Sequence, residues 1–242
     1  MGYVYNINYT IDYDYVDKNN KLTHKGFLKY LCGAATAHAN ETSYGFKASE
    51  TTHLVWLVLG WKIEIYRRPI CNEKIHIETW STGAERVCSF RDFRMYDEQG
   101  NLIAIASSKW TLYNLEKASL VRITPEIIDV FHPDENTHVF NEKISKIIVP
   151  ELECLGTYEY AIMRRDIDTN NHVNNGNYFD IANEVLPEDI YNIDFKNIEV
   201  MYKNQALYGD KTISFYYSTG SEHYIVIKSE DLSKLHCVIK LS

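Results

Sequence analysis

Residues 165–178, which read RDIDTNNHVNNGNY, hold the side chains whose types and spacing suit chemistry. The carboxylate of Asp168, the amide of Asn170 and the imidazole of His172 stand two residues apart. Alternate side chains of an extended segment point to the same side, so we expect these three to share a pocket. A carboxylate beside an imidazole suits proton transfer during attack of water on an acyl carbonyl. The spacing therefore predicts a hydrolytic site.

A helix start directly follows this motif in the sequence. The first turn of a helix leaves backbone N–H groups without intrahelical partners and carries the positive end of the helix dipole. Such groups stabilise an oxyanion during acyl transfer. We therefore expect the backbone N–H groups near Asn175 and Gly176 to hold the oxyanion.

Two other interpretations apply to the same residues. A turn that leads into a helix cap explains many Asn and Asp residues without any chemistry, and this interpretation stays open. A calcium loop is the second, because Asp166, Asp168 and Asn170 alternate as in an EF-hand. That loop needs glycine where Asn171 stands and a bidentate glutamate where Asn177 stands, so we predict no calcium site. The Cys and His spacings form no zinc pattern either, and no metal is expected.

Composition narrows the class of protein. The chain has 242 residues, 45% of them hydrophobic, and a net charge of −8. That charge argues against nucleic acid and anionic membrane as partners, and no apolar run is long enough for a membrane-spanning helix. The five cysteines are dispersed without a CxxC pair, and the N-terminus lacks a secretory signal. We expect a cytoplasmic globular protein with reduced thiols.

Hydrophobic periodicity predicts a helix followed by an antiparallel meander. Residues 25–40 place six buried-type side chains at helical spacing: Phe27, Leu28, Leu31, Ala34, Ala35 and His38. Four strand patterns with short connections follow, at 54–66, 73–80, 86–97 and 102–114. A helix that lies on a curved antiparallel sheet buries both apolar faces, so the class is α+β.

The second half of the chain repeats this order. Its predicted elements are a strand at 156–167, a helix at 175–185, and strands at 195–204, 211–219, 222–230 and 235–241. Residues 17–20 (DKNN) match residues 168–171 (DTNN) at an offset of 151, and Lys21 takes the place of His172. The repeat predicts two copies of one unit, at 1–130 and 151–242, joined by a linker at 131–150. Only the second copy keeps the imidazole, so we place the chemistry there.

The chain resembles a known family at this motif and at several blocks of the first half. The quoted residues are Asp168, Asn170, His172-Val173-Asn174-Asn175, Tyr178, Glu184 and Pro187, with Trp56, Pro69, Glu78-Thr79-Trp80, Ala106-Ser107-Ser108-Lys109-Trp110 and Arg122-Ile123-Thr124-Pro125-Glu126. In this order they are similar to the acyl-[acyl-carrier-protein] thioesterases of plants and bacteria. The resemblance covers nearly the whole chain.

The resemblance implies a tandem (double) hot-dog fold, with two curved antiparallel sheets each wrapped around a long helix. It implies hydrolysis of fatty acyl-carrier-protein thioesters to free fatty acid, without metal or cofactor. The partner would be an acyl carrier protein with a phosphopantetheine-linked acyl chain. The lack of a transit peptide favours a bacterial cytoplasm over a plastid. Monomer and homodimer stay open.

Site roles follow as hypotheses. Asp168 is expected to act as general base or as nucleophile, and His172 to polarise the carbonyl or protonate the leaving thiolate. Where the family usually has Glu and Cys, this chain has Gln205 and Ala206. A cysteine nucleophile is therefore excluded at that position, and the Gln205 amide is expected to orient water together with Asn170.

Substrate contacts are predicted in the first half. Four residues of its helix and sheet are expected to line the acyl pocket: Phe27, Leu31, Ala34 and Trp56. Lys62, Arg67 and Arg68 are candidates for a basic dock for the acidic carrier protein. Two alternatives to this function remain, an acyl-CoA thioesterase and a non-hydrolytic acyl-binding protein, the latter because of the changes at Gln205 and Ala206.

Overall fold

A computed structural model describes residues 2–242 and divides into two compact units, Met1–Ile144 and Ser145–Ser242. Each unit contains an antiparallel sheet and a helix that follows a short 3-10 turn. This is the predicted α+β class. Among the described residues, no helix combines the length and the apolar character needed to cross a membrane.

The first unit contains six strands and three α-helices among its described residues. In chain order they are β1 (Tyr5–Thr10), α1 (His24–Asn40), α2 (Phe46–Thr52), β2 (Leu54–Ile65), β3 (Lys74–Glu85), β4 (Cys88–Asp97), β5 (Leu102–Asn114), β6 (Ser119–Val121) and α3 (Pro125–Ile128). The sheet has the order β1-β3-β4-β5-β2, and the short β6 pairs with β5. The sequence patterns predicted α1 and the four strands from β2 to β5, but not β1, α2, α3 or β6.

Helix α1 begins where Thr23 caps it. The Thr23 hydroxyl oxygen accepts the Gly26 N–H at 3.0 Å, which satisfies one of the unpaired donors of the first turn. All six residues of the predicted apolar face are buried. A Cβ on Gly33 would lie only 2.9 Å from the Tyr9 hydroxyl, so glycine lets β1 and α1 approach closely.

Strand β3 runs farther than its sequence pattern predicts. The alternation stops at Trp80, but pairing with β4 continues to Glu85 across an irregularity between Ser81 and Gly83. Gly83 has a φ of +102°, a conformation that a side chain disfavours. A bulge of this kind interrupts the alternation of buried and exposed side chains without ending the strand. A search for strict alternation therefore does not detect the residues of β3 beyond the bulge.

The second unit repeats the strand order of the first. Its elements are β7 (Gly156–Ala161), α4 (Asn177–Asn183), α5 (Glu188–Tyr191), β8 (Asn197–Tyr202), β9 (Lys211–Ser218), β10 (His223–Ser229) and β11 (Leu235–Leu241). Its sheet has the order β7-β9-β10-β11-β8, which matches β1-β3-β4-β5-β2 strand for strand. The pairing register of β1 with β3 also matches that of β7 with β9. Tyr5 lies opposite Thr79 in the first pair, and Gly156 lies opposite Tyr216 in the second. The two units thus share one strand order and, at these strands, one register.

Two predicted elements of the second unit are shorter than expected. The strand predicted at 156–167 ends at Ala161 and gives way to a 3-10 turn at Arg164–Asp166. The helix predicted at 175–185 spans only seven residues, so the expectation of a long helix in each half is wrong for the second. The backbone past Asn183 tightens into three-residue turns, and Pro187, which has no N–H, prevents continuation.

The segment predicted as a linker, 131–150, begins inside the first unit. The Asp134 N–H donates to the Ser81 carbonyl at 2.9 Å, and the Val139 N–H donates to the Asp92 carboxylate at 2.9 Å. Both contacts tie this segment to the first sheet. Residues from Ser145 onward belong to the second unit.

Candidate active site

Asp168 organises a tight turn in the second unit. Its carboxylate oxygen Oδ1 accepts the Asn170 N–H at 2.8 Å, and its own N–H donates to the His172 carbonyl at 2.9 Å. The Asn171 N–H donates back to the Asp168 carbonyl at 3.1 Å. Asn171 has a φ of +62°, which asparagine tolerates better than most residues. The motif is therefore a closed turn rather than the extended segment that the alternate spacing suggested.

The imidazole of His172 lies beside this carboxylate. Its Nδ1 is 3.8 Å from Oδ1 of Asp168, and the two side chains are 17% and 19% exposed. Nδ1 is also 3.2 Å from the Val173 carbonyl oxygen. A carbonyl oxygen can only accept, so Nδ1 carries the hydrogen and Nε2 of the neutral ring keeps its lone pair. His172 can thus accept a proton at Nε2 while Asp168 faces the opposite side of the ring.

The structure brings the backbone of the Gln205 segment alongside the motif. The Val173 N–H donates to the Ala206 carbonyl at 2.9 Å. Val173 follows His172 and Ala206 follows Gln205, so this bond holds the two backbone segments together. The side chains of Asn170 and Gln205 are exposed, and neither hydrogen-bonds to another side chain or backbone group of residues 2–242. Both amides can therefore bind water.

The predicted oxyanion donors differ from each other. The Gly176 N–H donates to Oδ1 of Asn174 at 2.9 Å, so it is occupied within the chain. The Asn175 N–H has no acceptor among residues 2–242. Helix α4 is only seven residues long and adds little dipole. Of the two donors, Asn175 is the one available for an oxyanion.

Asp166 positions the motif, a role that the sequence did not reveal. Its buried carboxylate accepts the Tyr160 hydroxyl at 2.9 Å and the Met163 N–H at 2.7 Å. Its carbonyl accepts the Asn174 N–H at 2.8 Å and the Asn177 side-chain amide at 3.0 Å. The repeat contained a signal, because the matching residue of the first half is Tyr15 and not an acid.

Other chemistries find little support in the site. Burial raises the pKa of the Cys237 thiol well above its ordinary value, so it is a poor nucleophile. Ala206, at the position of the family's usual cysteine, is fully buried. Within the described part of the chain, no group of three or more His, Cys, Asp or Glu side chains is arranged to hold a metal ion.

The first unit contains a partly open cavity of about 140 Å³. It lies among α1, α2 and the sheet, and Trp56 is part of its wall, as predicted for the acyl pocket. Phe27, Leu31 and Ala34 are instead fully buried in the core and do not line this cavity. Helix α1 contributes Ala35, Thr36 and Ala39 to the wall.

The basic residues predicted as a dock are engaged within the first unit. Arg67 forms ion pairs with Glu73 at 2.5 Å and Asp97 at 3.1 Å. The Lys62 ammonium lies 4.6 Å from the centre of the Phe140 ring, and Arg68 donates to the Leu22 carbonyl. A carrier protein would have to compete with these contacts.

Curated relatives of the chain are plant chloroplast enzymes. Oleoyl-acyl carrier protein thioesterase 2 of Arabidopsis thaliana is 28% identical over 225 residues, which cover 86% of this chain and 61% of that protein. The oleoyl-acyl carrier protein thioesterase of Coriandrum sativum is 28% identical over 193 residues, which cover 72% of this chain and 51% of that protein. The chain thus spans between half and about three fifths of these relatives.

Solved structures share the fold. An acyl-ACP thioesterase from Bacteroides thetaiotaomicron superposes with a TM-score of 0.87 at 24% identity and covers 98% of this chain and 96% of its own. The 12:0-ACP thioesterase of Umbellularia californica gives a TM-score of 0.85 at 17% identity and covers 99% of this chain and 96% of its own. The chain has the hot-dog fold of these proteins.

Two family models match the chain in sequence. The acyl-ACP thioesterase N-terminal domain matches residues 2–131, and the acyl-ACP thioesterase C-terminal domain matches residues 149–238. The second match contains the whole Asp168–His172 turn and Gln205. With nearly the full length covered in the right order, the chain belongs to the acyl-ACP thioesterase family.

Proposed function

We propose that this protein hydrolyses fatty acyl-[acyl-carrier-protein] thioesters to free fatty acid and holo-carrier protein. The observation that carries the proposal is the His172 imidazole, which faces the Asp168 carboxylate at 3.8 Å within the C-terminal family match. Hydrolysis of a thioester needs a base for water, and a carboxylate-supported imidazole is such a base. The family membership supports the same reaction.

In the proposed mechanism, Nε2 of His172 takes a proton from water while the water oxygen bonds to the thioester carbonyl carbon. The Asp168 carboxylate stabilises the imidazolium that forms. The tetrahedral intermediate then collapses, the carbon–sulfur bond breaks, and the imidazolium returns its proton to the phosphopantetheine thiolate. This assignment moves the role of base from Asp168 to His172 and keeps His172 as the proton donor to the thiolate, since a hydrogen bond to the Val173 carbonyl places the hydrogen on Nδ1.

The remaining motif residues take supporting roles in the proposal. The exposed amides of Asn170 and Gln205 orient the attacking water through hydrogen bonds. The Asn175 N–H stabilises the oxyanion, since the Gly176 N–H is held by Asn174. No cofactor takes part.

We further propose a double hot-dog architecture, with an N-terminal unit at 1–130 for the acyl chain and a catalytic unit at 151–242, connected by residues 131–150, whose first part hydrogen-bonds to the first sheet. The repeated strand order and register support two copies of one unit. The cavity of the first unit supports the acyl-chain role. The five cysteines are free, which fits the reducing cytoplasm of a bacterium.

Two alternatives define the test. An acyl-CoA thioesterase would share the pantetheine thioester and differ only in the carrier. A non-hydrolytic acyl-binding protein is suggested by Gln205 and Ala206, which replace the family's usual Glu and Cys.

The test measures free-thiol release from carrier-protein thioesters of four to eighteen carbons, with matched acyl-CoA substrates in parallel. Turnover with a preference for the carrier-protein substrates supports the proposal. Faster turnover of acyl-CoA favours the first alternative, and bound but intact acyl chains favour the second.

A further inference from the structure

Arg91 brings a positive charge to the cavity of the first unit. The residue lies on β4, lines the cavity and is only 7% exposed. Its Nη1 is 2.9 Å from Nδ1 of His38 and 3.2 Å from the Thr79 hydroxyl oxygen. No carboxylate of residues 2–242 forms an ion pair with it. A buried charge without a counterion is costly, so this arrangement calls for an explanation.

The charge persists at neutral pH. Burial lowers the pKa of the Arg91 guanidinium only to about 10. Burial, and then the neighbouring Arg91 and His132, lower the pKa of His38 to about 3, so its ring is neutral and Nδ1 accepts from Nη1. The Phe131 ring, whose centre is 5.7 Å from Cζ of Arg91, offers only a weak cation–π contact. The described residues therefore leave the charge uncompensated.

Part of the guanidinium is open to a ligand. Nε and Nη2 of Arg91 donate to no acceptor among residues 2–242. Both nitrogens keep some exposure to solvent, unlike the fully buried indole nitrogen of Trp61. Arg91 lines the cavity, which places its side chain at the cavity wall. An Nε–H and Nη2–H pair is the edge that binds a carboxylate with two parallel hydrogen bonds.

The rest of the wall fits a mixed ligand. Hydroxyl groups of Thr36, Ser81 and Ser89 line the same cavity as Ala35 and Trp56. The Ser81 and Ser89 hydroxyls already bond to the Gly83 backbone, whereas a purely hydrocarbon chain would leave the free edge of the arginine unpaired. A cavity of roughly 150 Å³ holds a molecule the size of benzene, so the present 140 Å³ suits the end of a chain of a few heavy atoms.

We propose that this cavity receives the far end of an acyl chain that terminates in a carboxylate, and that Arg91 selects such substrates. The substrates would then be half-thioesters of dicarboxylic acids, with one end on the carrier protein and the other against the guanidinium. This inference rests on the proposed thioesterase function and narrows its substrate class.

The test compares pairs of carrier-protein thioesters with equal carbon number, one ending in a methyl group and the other in a carboxylate. The kcat/KM ratio of each pair is measured for the wild type, Arg91→Met and Arg94→Met. Arg94 lies on the same strand but contacts Glu78 and Trp80 and does not line the cavity, so it controls for loss of one positive charge. We expect the wild type to prefer the carboxylate end at one or more lengths.

Loss of a partner from a buried charged pair costs about 2–5 kcal/mol, so Arg91→Met should reduce that preference by about thirtyfold or more. Arg94→Met should keep it. A wild type that favours the methyl end at every length, or an Arg91→Met variant that keeps the carboxylate preference, overturns the inference.

Calorimetry with non-hydrolysable pantetheine amides, again ending in methyl or carboxylate, separates this inference from the proposed function. Preferred binding of the carboxylate amide without any turnover supports the cavity assignment and rejects the hydrolase. Turnover without a preference does the reverse. If the protein shows neither turnover nor binding, both the hydrolase proposal and the cavity assignment are rejected.

Because Arg91 is buried, Arg91→Met can fail to fold. Thr36 is exposed at the cavity wall, so Thr36→Glu offers the guanidinium a carboxylate from the protein, and Thr36→Gln adds the same bulk without charge. We expect Thr36→Glu to lose the preference for carboxylate ends and Thr36→Gln to keep it. Equal preferences in both variants contradict the inference.

Discussion

Asp17 and Asp168 hold two turns of the same construction, 151 residues apart in the chain. In each turn the carboxylate accepts the N–H of the asparagine two residues later, at 2.8 Å. Each aspartate N–H also donates to the carbonyl of the residue four positions on, which is Lys21 in the first turn and His172 in the second. The turns differ in one bond, because the Lys21 N–H also donates to Asp17 at 2.9 Å. In the second turn the imidazole of His172 faces the carboxylate.

This relationship provides a control for the catalytic role of Asp168. Asparagine can still accept the turn hydrogen bond through its side-chain oxygen, so Asp168→Asn removes the negative charge and keeps the turn. We expect kcat to fall by at least about 100-fold. Asp17→Asn makes the same change where no imidazole is present and should keep wild-type kcat. Thiol release and the thermal midpoint of both variants check this, and equal activity of the two would remove Asp168 from the mechanism.

Replacement of His172 tests the proposed base. His172→Gln keeps a polar side chain of similar size but cannot take a proton from water, so kcat should fall by about 100-fold or more. The matched change Lys21→Gln in the first turn should leave kcat unchanged. Circular dichroism verifies that both variants fold. Near-normal turnover by His172→Gln would return the role of base to Asp168.

Substitution of two alanines of α1 tests whether the acyl chain lies in the cavity or along the buried core residues. Ala39 lines the cavity and Ala34 is fully buried outside it. Ala39→Leu should fill part of the cavity and shift the preferred chain length downward, with little change in thermal stability. Ala34→Leu should overpack the core and cost about 1–3 kcal/mol of unfolding free energy without such a shift.

The acyl-chain panel and thermal unfolding measure both effects. A change in chain-length preference caused by Ala34→Leu alone would place the acyl chain where the sequence predicted it, along Phe27, Leu31 and Ala34.

The buried His38 predicts a dependence of stability on pH. Burial lowers its folded-state pKa to about 3, below the ordinary value of 6.5 that applies to the unfolded chain. Between these two pH values the unfolded chain binds more protons, so the unfolding free energy falls as the pH drops from 6.5 toward 3. His38→Asn removes this contribution while its side-chain oxygen can still accept from Arg91.

Urea unfolding at pH 7 and pH 5 measures the difference. We expect the wild type to lose more unfolding free energy over this interval than His38→Asn does. Other histidines contribute equally to both proteins and cancel in the comparison. Equal losses would mean that His38 is accessible to protons in the folded state.

The sequence predicted the elements whose pattern is local. Helix α1 and strands β2, β4 and β5 follow from apolar periodicity, and the offset of 151 residues anticipates the match of β1 with β7. The sequence pattern did not predict the extension of β3 beyond Trp80, because the bulge at Gly83 breaks the alternation. Strand β1 was missed because its six residues lie at a sheet edge and half of its side chains are exposed.

The site was predictable in composition but not in geometry. Residue types and spacing singled out Asp168 and His172, yet the turn, the Val173 carbonyl and the Asn174 side chain determine what each polar group faces. The charge at Arg91 is invisible in the sequence for a different reason. Its meaning depends on its surroundings, and only the structure shows that its hydrogen-bond partners are His38 and Thr79 rather than an acid.

The two matching turns also bear on how active and inactive members of such a family can be distinguished. The Asp17 turn has kept its aspartate and asparagine through divergence, although it has no imidazole. The turn therefore forms with those two residues in the absence of an imidazole. A descendant that lost catalysis would keep them too, and selection on the chemistry would be recorded at position 172. A survey of genomes for working enzymes should score that histidine first, because an aspartate alone does not distinguish the two turns.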